Sequence, residues 1–176
     1  MKTLVALLRA VNVGGTGKLP MAALRMICEQ AGFGNVRTYI QSGNVVFDTN
    51  LPDGTVKSKL ERRLAEHMGK PVGVMIRDSA QMRSILERNP FPDAAPNKVS
   101  VLFLDHTAPD RIAATAKRLA DEEIVPSGAE IFIHYPSGMG RSRLGLPAMN
   151  EGTARNLNTV AKLAAMASED ARSLSR

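Results

Sequence analysis

The chain of 176 residues carries 23 Lys and Arg against 17 Asp and Glu, a formal net charge of +6 with neutral histidines. Its 44% apolar and 23% charged residues are typical of a soluble globular protein and exclude a mostly disordered or fibrous chain. A single cysteine excludes an intramolecular disulfide framework.

The N-terminal sequence opens on a short apolar run that does not look like a targeting segment. Arg9 interrupts the run Leu4–Leu8, whereas a signal peptide needs about 7 to 15 apolar residues. No stretch approaches the roughly 20 apolar residues of a membrane span. We therefore expect a cytoplasmic protein that does not enter a membrane.

Residues 1–78 are predicted to form a first α+β subdomain. Alternating apolar residues indicate strands, and apolar residues three and four apart indicate helices. The predicted elements are, in chain order, a strand over 3–11, a helix from Pro20, a hairpin of strands 36–41 and 45–47, a helix over 53–68 and a strand over 72–76. This β-α-β-β-α-β order is the ferredoxin-like arrangement.

Residues 79–176 are predicted to form a second, related α+β subdomain. The predicted elements are a helix over 79–88, a strand over 99–104, a helix over 109–120, a hairpin of strands 122–125 and 129–135, and a last helix from about 154 to 167. After its first helix this half repeats the order β-α-β-β-α. We expect the two subdomains to make up one compact unit.

The basic residues are concentrated in two segments. Residues 1–47 carry five basic residues and one acidic residue, and residues 134–167 carry four and one. A segregated positive field attracts anionic partners such as nucleic acid or phosphate. The alternative is that these cations only keep the surface solvated.

The glycine-rich segment Gly14–Lys18 lies where a predicted strand turns toward a helix. It does not match a nucleotide-triphosphate loop, because Asn12 stands at the first glycine of that pattern and Leu19 replaces the magnesium-binding Ser or Thr. Backbone N–H groups beside Lys18 can still hold an anion. A plain connection between strand and helix is the alternative.

Polar residues recur along one face of the predicted last helix. The side chains on this face are those of Arg155, Asn158, Thr159 and Lys162, which fall at helical spacing near the helix start, where backbone donors also favour anions. A solvated helix exterior is the alternative.

The loop Ser137–Arg143 is also basic, and it could close over a phosphate or remain a mobile surface loop.

No catalytic set, metal site or cofactor is predicted. No pair among His67, His106 and His134 has metal-ligand spacing. Cys28 lies on an apolar helix stripe, which is typical of a core thiol. Asp105 and His106 are adjacent, but neighbours at a strand end diverge.

Three stretches resemble a known bacterial family. They are Ala6–Gly15 (ALLRAVNVGG), Thr38–Phe47 (TYIQSGNVVF) and Thr153–Leu163 (TARNLNTVAKL), and the family is domain of unknown function 1697. The resemblance implies an α+β fold but no reaction. Its polar pattern matches here at Arg9, Asn12, Gly14, Gly15, Lys18, Tyr39, Gln41, Ser42, Gly43, Asn44, Arg155, Asn156, Asn158, Thr159 and Lys162.

The resemblance also identifies two departures from the family pattern. Ala10 stands where the family usually has Gly, which the sequence places within a strand as a minor change. Leu157 stands where the family often has Trp. If that Trp stacks on a base, this chain lacks the stacking platform, and if the Trp only packs, Leu157 fills the same role.

We expect the three stretches to converge on one polar, basic site that binds an anionic partner, either the nucleic-acid backbone or a phosphorylated small molecule. The predicted ligand-binding residues are Arg9, Asn12, Lys18, Tyr39, Gln41, Asn44, Arg155, Asn156, Asn158 and Lys162. One alternative is an enzyme acting on a phosphorylated or carboxylated metabolite. The other is a purely structural role for these residues at the subdomain interface.

Overall fold

A computed structural model describes residues 1–14 and 17–173, with side chains described through residue 168. The chain divides into two compact units, one comprising Met1–Met82 with Leu163–Arg176 and the other Arg83–Lys162. Over the described residues the fold is mixed α+β, with two four-stranded antiparallel sheets and four α-helices. The subdomain boundary that the sequence places after Asp78 stays a prediction.

The first unit is built on one sheet with the strand order β2-β3-β1-β4. Its elements are β1 (Lys2–Leu8), α1 (Met21–Gln30), β2 (Gly34–Tyr39), β3 (Asn44–Thr49), α2 (Asp53–Met68) and β4 (Val74–Asp78), and α3 (Ser79–Glu87) follows directly. Strand β1 is central and pairs antiparallel with both β3 and β4.

The core of the first unit lies between one face of this sheet and helices α1 and α2. Leu4, Ala6 and Leu8 alternate along β1, so their side chains share one face. Phe47 on β3 belongs to the same core and stacks on Phe33 with ring centroids 4.4 Å apart. Helix α2 contributes a stripe at four-residue spacing, formed by Val56, Leu60 and Leu64.

The second unit contains the other sheet, with the strand order β6-β7-β5-β8. Its strands are β5 (Val99–Phe103), β6 (Glu123–Ser127), β7 (Glu130–His134) and β8 (Thr153–Asn156), and helix α4 (Leu157–Ser173) begins in this unit. Short 3-10 helices lie at Pro96–Lys98, Ile112–Thr115, Met139–Arg141 and Pro147–Asn150. Leu102, Leu104, Ile131, Ile133, Tyr135 and Leu146 form a buried core.

The prediction of a helix over residues 109–120 is wrong. Within this segment only Ile112–Thr115 is helical, and it forms a 3-10 helix. The backbones of Lys117 and Gly145 exchange two hydrogen bonds of 2.8 and 3.0 Å, which hold the chain extended there. Arg118 has a left-handed φ of 56° and Leu119 is exposed, so the predicted apolar stripe does not form.

The predicted start of the last helix is also wrong. Residues 153–156 form strand β8, and the helix begins only at Leu157. Pairing with β5 gives this segment an extended backbone, with Thr153 and Arg155 buried and Ala154 exposed between them. Arg155 therefore does not share a helical face with Asn158 and Lys162.

Among the described residues, no helix combines the length and the apolar composition that crossing a membrane requires.

Candidate functional site

The first unit contains a cleft of about 630 Å³ where the loop after β1 meets the turn between β2 and β3. We call it the loop cleft. It is lined by Asn12, Val13, Gly14, Gly17, Lys18, Leu19, Pro20 and Gln41. Two of the three stretches expected to converge therefore meet here. Gly15 and Thr16, at the centre of the glycine-rich segment, lie outside the described residues.

The side chain of Asn12 joins the two walls of the loop cleft. Its Nδ2 donates to the backbone oxygens of Leu19 at 2.8 Å and Gln41 at 2.7 Å. Its Oδ1 accepts from the backbone N–H of Leu19 at 2.7 Å. Asparagine suits the left-handed φ of 56° at this position better than most residues do. Both amide hydrogens of Asn12 thus serve the protein's own backbone.

The turn between β2 and β3 packs tightly against the end of β1. The backbone N–H of Leu8 donates to the oxygen of Gly43 at 2.8 Å. Gly43 has a φ of 90°, and a Cβ there would lie 2.6 Å from Cγ2 of Val11. This position therefore requires glycine on two independent grounds.

Asn44, predicted to bind a ligand, is fully buried in the same turn. Its Nδ2 donates to the backbone oxygen of Tyr39 and to the hydroxyl of Ser42, both at 2.9 Å. Asn44 thus fixes the turn that carries Gln41. Next to Gln41, the exposed Ile40 adopts a φ of 50°, a strained conformation for a β-branched residue.

Strand β1 ends at Leu8, so Ala10 does not lie in a strand as the sequence suggested. It follows the strand with a left-handed φ of 55°. Only glycine adopts this conformation without steric cost. Alanine in place of the family's glycine therefore strains the backbone at the start of the loop.

Three predicted ligand-binding residues line the loop cleft, and two of them, Lys18 and Gln41, are exposed. Pro20, which also lines the cleft, is the N-cap of α1. It makes no side-chain capping bond, and the first turn of α1 holds no acidic residue. The N-terminus of α1, which carries a partial positive charge, therefore lies at the edge of the cleft.

A second cation that sequence reasoning missed lies near the cleft. The Nζ of Lys70 is 3.9 Å from the position a Cβ on Gly17 would take. Lys70 follows Gly69, which ends α2 in a left-handed conformation. No local pattern signals this proximity, because it depends on how α2 packs beside the loop.

Arg9 and Tyr39 are half-buried and lie outside the lining of the loop cleft. The backbone N–H of Arg9 donates to the oxygen of Gly73 at 2.8 Å, and its side chain runs beside that glycine. Tyr39 pairs with Asn44 in the hairpin.

Arg155 is buried in the second unit, with only 7% of its surface exposed. Burial lowers the pKa of its guanidinium to about 10, so it stays charged at neutral pH. Its Nη1 donates to Oγ1 of Thr153 at 2.6 Å and to the backbone oxygen of Ala154 at 2.9 Å. These bonds tie the side chain to its own strand.

Asn156 caps helix α4. Its Oδ1 accepts a hydrogen bond of 2.9 Å from the backbone N–H of Thr159. This is the bond that an N-cap side chain makes to the residue three positions later in the chain. Asn158 and Lys162 are exposed on the first turns of the same helix. All four predicted residues of this stretch belong to the second unit, so their convergence with the loop cleft stays a prediction.

Within residues 1–14 and 17–168, no three His, Cys, Asp or Glu side chains are grouped to hold a metal ion. Burial raises the pKa of the Cys28 thiol to about 12, so it is protonated at neutral pH. The Nε2 of His106 lies 3.3 Å from a carboxylate oxygen of Glu151.

Comparisons with known proteins agree with the α+β architecture. The family model described as "Protein of unknown function (DUF1697)" matches residues 1–132. No curated protein matches the chain. The chain is similar to the solved structure of the conserved bacterial protein SP0830 from Streptococcus pneumoniae, with 26% identity and a TM-score of 0.80 over 96% of this chain and 99% of that one.

Proposed function

The chain belongs to the DUF1697 family of proteins of unknown function, and we propose that it binds a phosphorylated small molecule in the loop cleft. The phosphoryl group sits at the N-terminus of α1, beside Lys18 and Lys70. Gln41 contributes a hydrogen bond from the opposite wall.

The observation that carries this proposal is the coincidence of cations and a helix N-terminus in one cleft. Lys18 is exposed there, and the Lys70 ammonium lies close to Gly17. Among the described residues, no side chain caps the first turn of α1, and the partial positive charge of its N–H groups also favours an anion. Each source of positive charge favours the same ligand, a compact anion.

The size of the cleft favours a small molecule over a nucleic acid. Its volume of about 630 Å³ lies in the range of roughly 300 to 1,000 Å³ that is typical of small-ligand pockets. Binding to a nucleic-acid backbone instead depends on several cations that contact successive phosphates. The lining of the loop cleft supplies one lysine, with Lys70 nearby.

Isothermal titration with inorganic phosphate and ribose 5-phosphate at constant ionic strength tests the proposal. We expect Lys18→Gln to weaken binding by about tenfold, because it removes a charge-assisted hydrogen bond. Arg62→Gln on α2 is the matched control, since it removes one exposed positive charge outside the cleft lining. Equal affinities for the two variants would overturn the proposal.

A parallel titration distinguishes the nucleic-acid alternative. Fluorescence anisotropy of labelled double- and single-stranded DNA and RNA is followed across a salt series. Submicromolar binding that falls steeply with salt would favour backbone contact. We expect none at physiological salt.

For a second group of predicted residues we propose a structural role rather than ligand contact. The side chains of Asn12, Asn44, Arg155 and Asn156 all donate or accept hydrogen bonds within their own unit. Arg155→Ala should therefore lower the melting temperature, whereas Lys18→Gln should not.

We further propose that the first unit is ferredoxin-like and the second a relative of it. The element order β-α-β-β-α-β and the antiparallel strand order β2-β3-β1-β4 support the first part. The matching order β6-β7-β5-β8 supports the second. We also propose a cytoplasmic location, because the chain has a single cysteine and cytoplasmic proteins rarely contain disulfides.

A further inference from the structure

The second unit holds a cleft of about 510 Å³ that carries three arginines. Arg118, Arg141 and Arg143 all line it, and all three are exposed. We call it the arginine cleft. Its residues lie within Arg83–Lys162, so it shares none with the loop cleft.

Backbone pairing brings the arginines together from two separate segments. The two hydrogen bonds between Lys117 and Gly145 place Arg118 beside the segment that follows Arg143. A 3-10 turn at Met139–Arg141 then orients Arg141, and Ser142 donates its N–H to the oxygen of Met139 at 3.2 Å. These backbone contacts, and not the arginine side chains, bring the two segments together.

Two carboxylates of the cleft are engaged in holding its walls. Oε1 of Glu122 accepts the Ser142 hydroxyl, and its Oε2 accepts the backbone N–H of Ala120 at 2.7 Å. These two bonds lower the pKa of Glu122 and keep it ionised. Asp121 accepts the hydroxyl of Ser137 in the same way. Both acids therefore tie the loop 137–143 to residues 120–122.

The three guanidinium groups take no part in the hydrogen bonds that hold the loop 137–143 to residues 120–122. Among the described residues, Arg118, Arg141 and Arg143 take part in no hydrogen bond or ion pair. Glu122 and Asp121 bond instead to serine hydroxyls and a backbone N–H. The planar guanidinium donors therefore remain available to an external anion.

We propose that the arginine cleft is a second anion site, which binds the phosphoryl group of a phosphorylated small molecule. The three arginines outnumber the two carboxylates of the cleft, Asp121 and Glu122. Guanidinium forks match phosphate oxygens in pairs, and several such forks can contact one phosphoryl group. The cleft volume leaves room for the organic part of such a ligand.

Arginine Nε–Hε signals in ¹H–¹⁵N spectra report on this site directly. The protein is titrated with inorganic phosphate and, in a separate arm, with ribose 5-phosphate at constant ionic strength. We expect saturable shifts at Arg118, Arg141 and Arg143, with tighter binding of ribose 5-phosphate if the site takes a phosphorylated metabolite. Equal affinities for inorganic phosphate and ribose 5-phosphate would mean that the site recognises only the phosphoryl group.

Matched variants separate this site from a general charge effect and from the loop cleft. Arg141→Gln and Arg143→Gln should each weaken binding at the remaining arginines by about tenfold, because each removes a charge-assisted pair. Arg111→Gln, which removes an exposed positive charge outside the cleft, should not. Lys18→Gln should also leave these signals unchanged, whatever it does to the loop cleft.

Two results would overturn the proposal. One is a set of arginine shifts that rises linearly with phosphate without saturating. The other is an Arg111→Gln effect as large as those of Arg141→Gln and Arg143→Gln. Circular dichroism of each variant checks that it is folded, and Arg118→Asn provides a third variant that tolerates the left-handed backbone at that position.

Discussion

The Nδ2 atom of Asn12 donates a hydrogen bond of 2.7 Å to the backbone oxygen of Gln41, 29 residues further along the chain. This bond connects the loop after β1 to the turn between β2 and β3, and so joins the two walls of the loop cleft. Ala10, Asn12 and Ile40 all adopt left-handed backbone conformations within these two segments. The cleft is therefore held by specific turn geometry, which single substitutions can test.

Ala10→Gly is expected to stabilise the protein by about 1 kcal/mol, because a left-handed conformation costs an alanine roughly 1 to 2 kcal/mol and glycine's extra chain entropy offsets part of that gain. Urea unfolding followed by circular dichroism gives the change. Ala165→Gly is the control, since Ala165 is exposed in the interior of helix α4. It should destabilise by about 1 kcal/mol, and a loss of stability in both variants would contradict the expected strain at Ala10.

Gly43→Ala is expected to destabilise the protein more than Gly32→Ala does. Both glycines have a φ of 90°, so both variants carry the left-handed cost of roughly 1 to 2 kcal/mol. At Gly32 nothing lies within 4 Å of the new Cβ, whereas at Gly43 Val11 lies 2.6 Å away. Overpacking there should add about 1 to 3 kcal/mol. Equal free energies of unfolding would show that the turn does not pack as described.

Asn156→Ala is expected to cost about 1 kcal/mol of stability by removing the N-cap of α4. Asn156→Asp should retain most of that stability, because its carboxylate can accept the same N–H from Thr159. Chemical denaturation of the three proteins measures this. Nearly equal stability of the alanine variant and the native protein would show that Asn156 does not cap the helix.

His106 should titrate above the ordinary histidine pKa of 6.5. The backbone oxygen of Thr107 is the larger cause and Glu151 the next, and both favour the protonated ring. Because the folded pKa is raised, this group stabilises the fold below the unfolded pKa. That contribution is lost as the pH rises through the folded pKa. The ring is exposed, so the effect on stability is small.

An NMR titration of the His106 ring checks the direction of this shift. Glu151→Gln should lower the pKa of His106, while Glu87→Gln, an exposed change on α3, should leave it unchanged. A His106 pKa that does not respond to Glu151→Gln would mean that the 3.3 Å contact does not persist in solution.

Local sequence patterns predicted the regular elements of the first unit well. Helix α2 is an example, because Val56, Leu60 and Leu64 recur at four-residue spacing and Gly69 ends the helix in a left-handed conformation. Such signals lie within a few residues of one another and need no tertiary contact. The hairpin of β2 and β3 was identified for the same reason.

The wrong predictions arise where distant segments override local propensity. Residues 109–120 have helical spacing, but pairing of Lys117 with Gly145 holds part of the segment extended. Strand β8 has only four residues, too few for an alternating pattern to be distinguished from the start of a helix. The proximity of Lys70 to Gly17 depends entirely on packing.

The most direct test of the account is an amide ¹H–¹⁵N titration of the protein with inorganic phosphate at constant ionic strength. We expect saturable shifts at the amides of Gly17, Lys18, Met21, Ala22 and Gln41, with a weaker affinity at all five in Lys18→Gln. The absence of saturable shifts at these amides, or an affinity there that Lys18→Gln does not change, would contradict phosphoryl binding in the loop cleft.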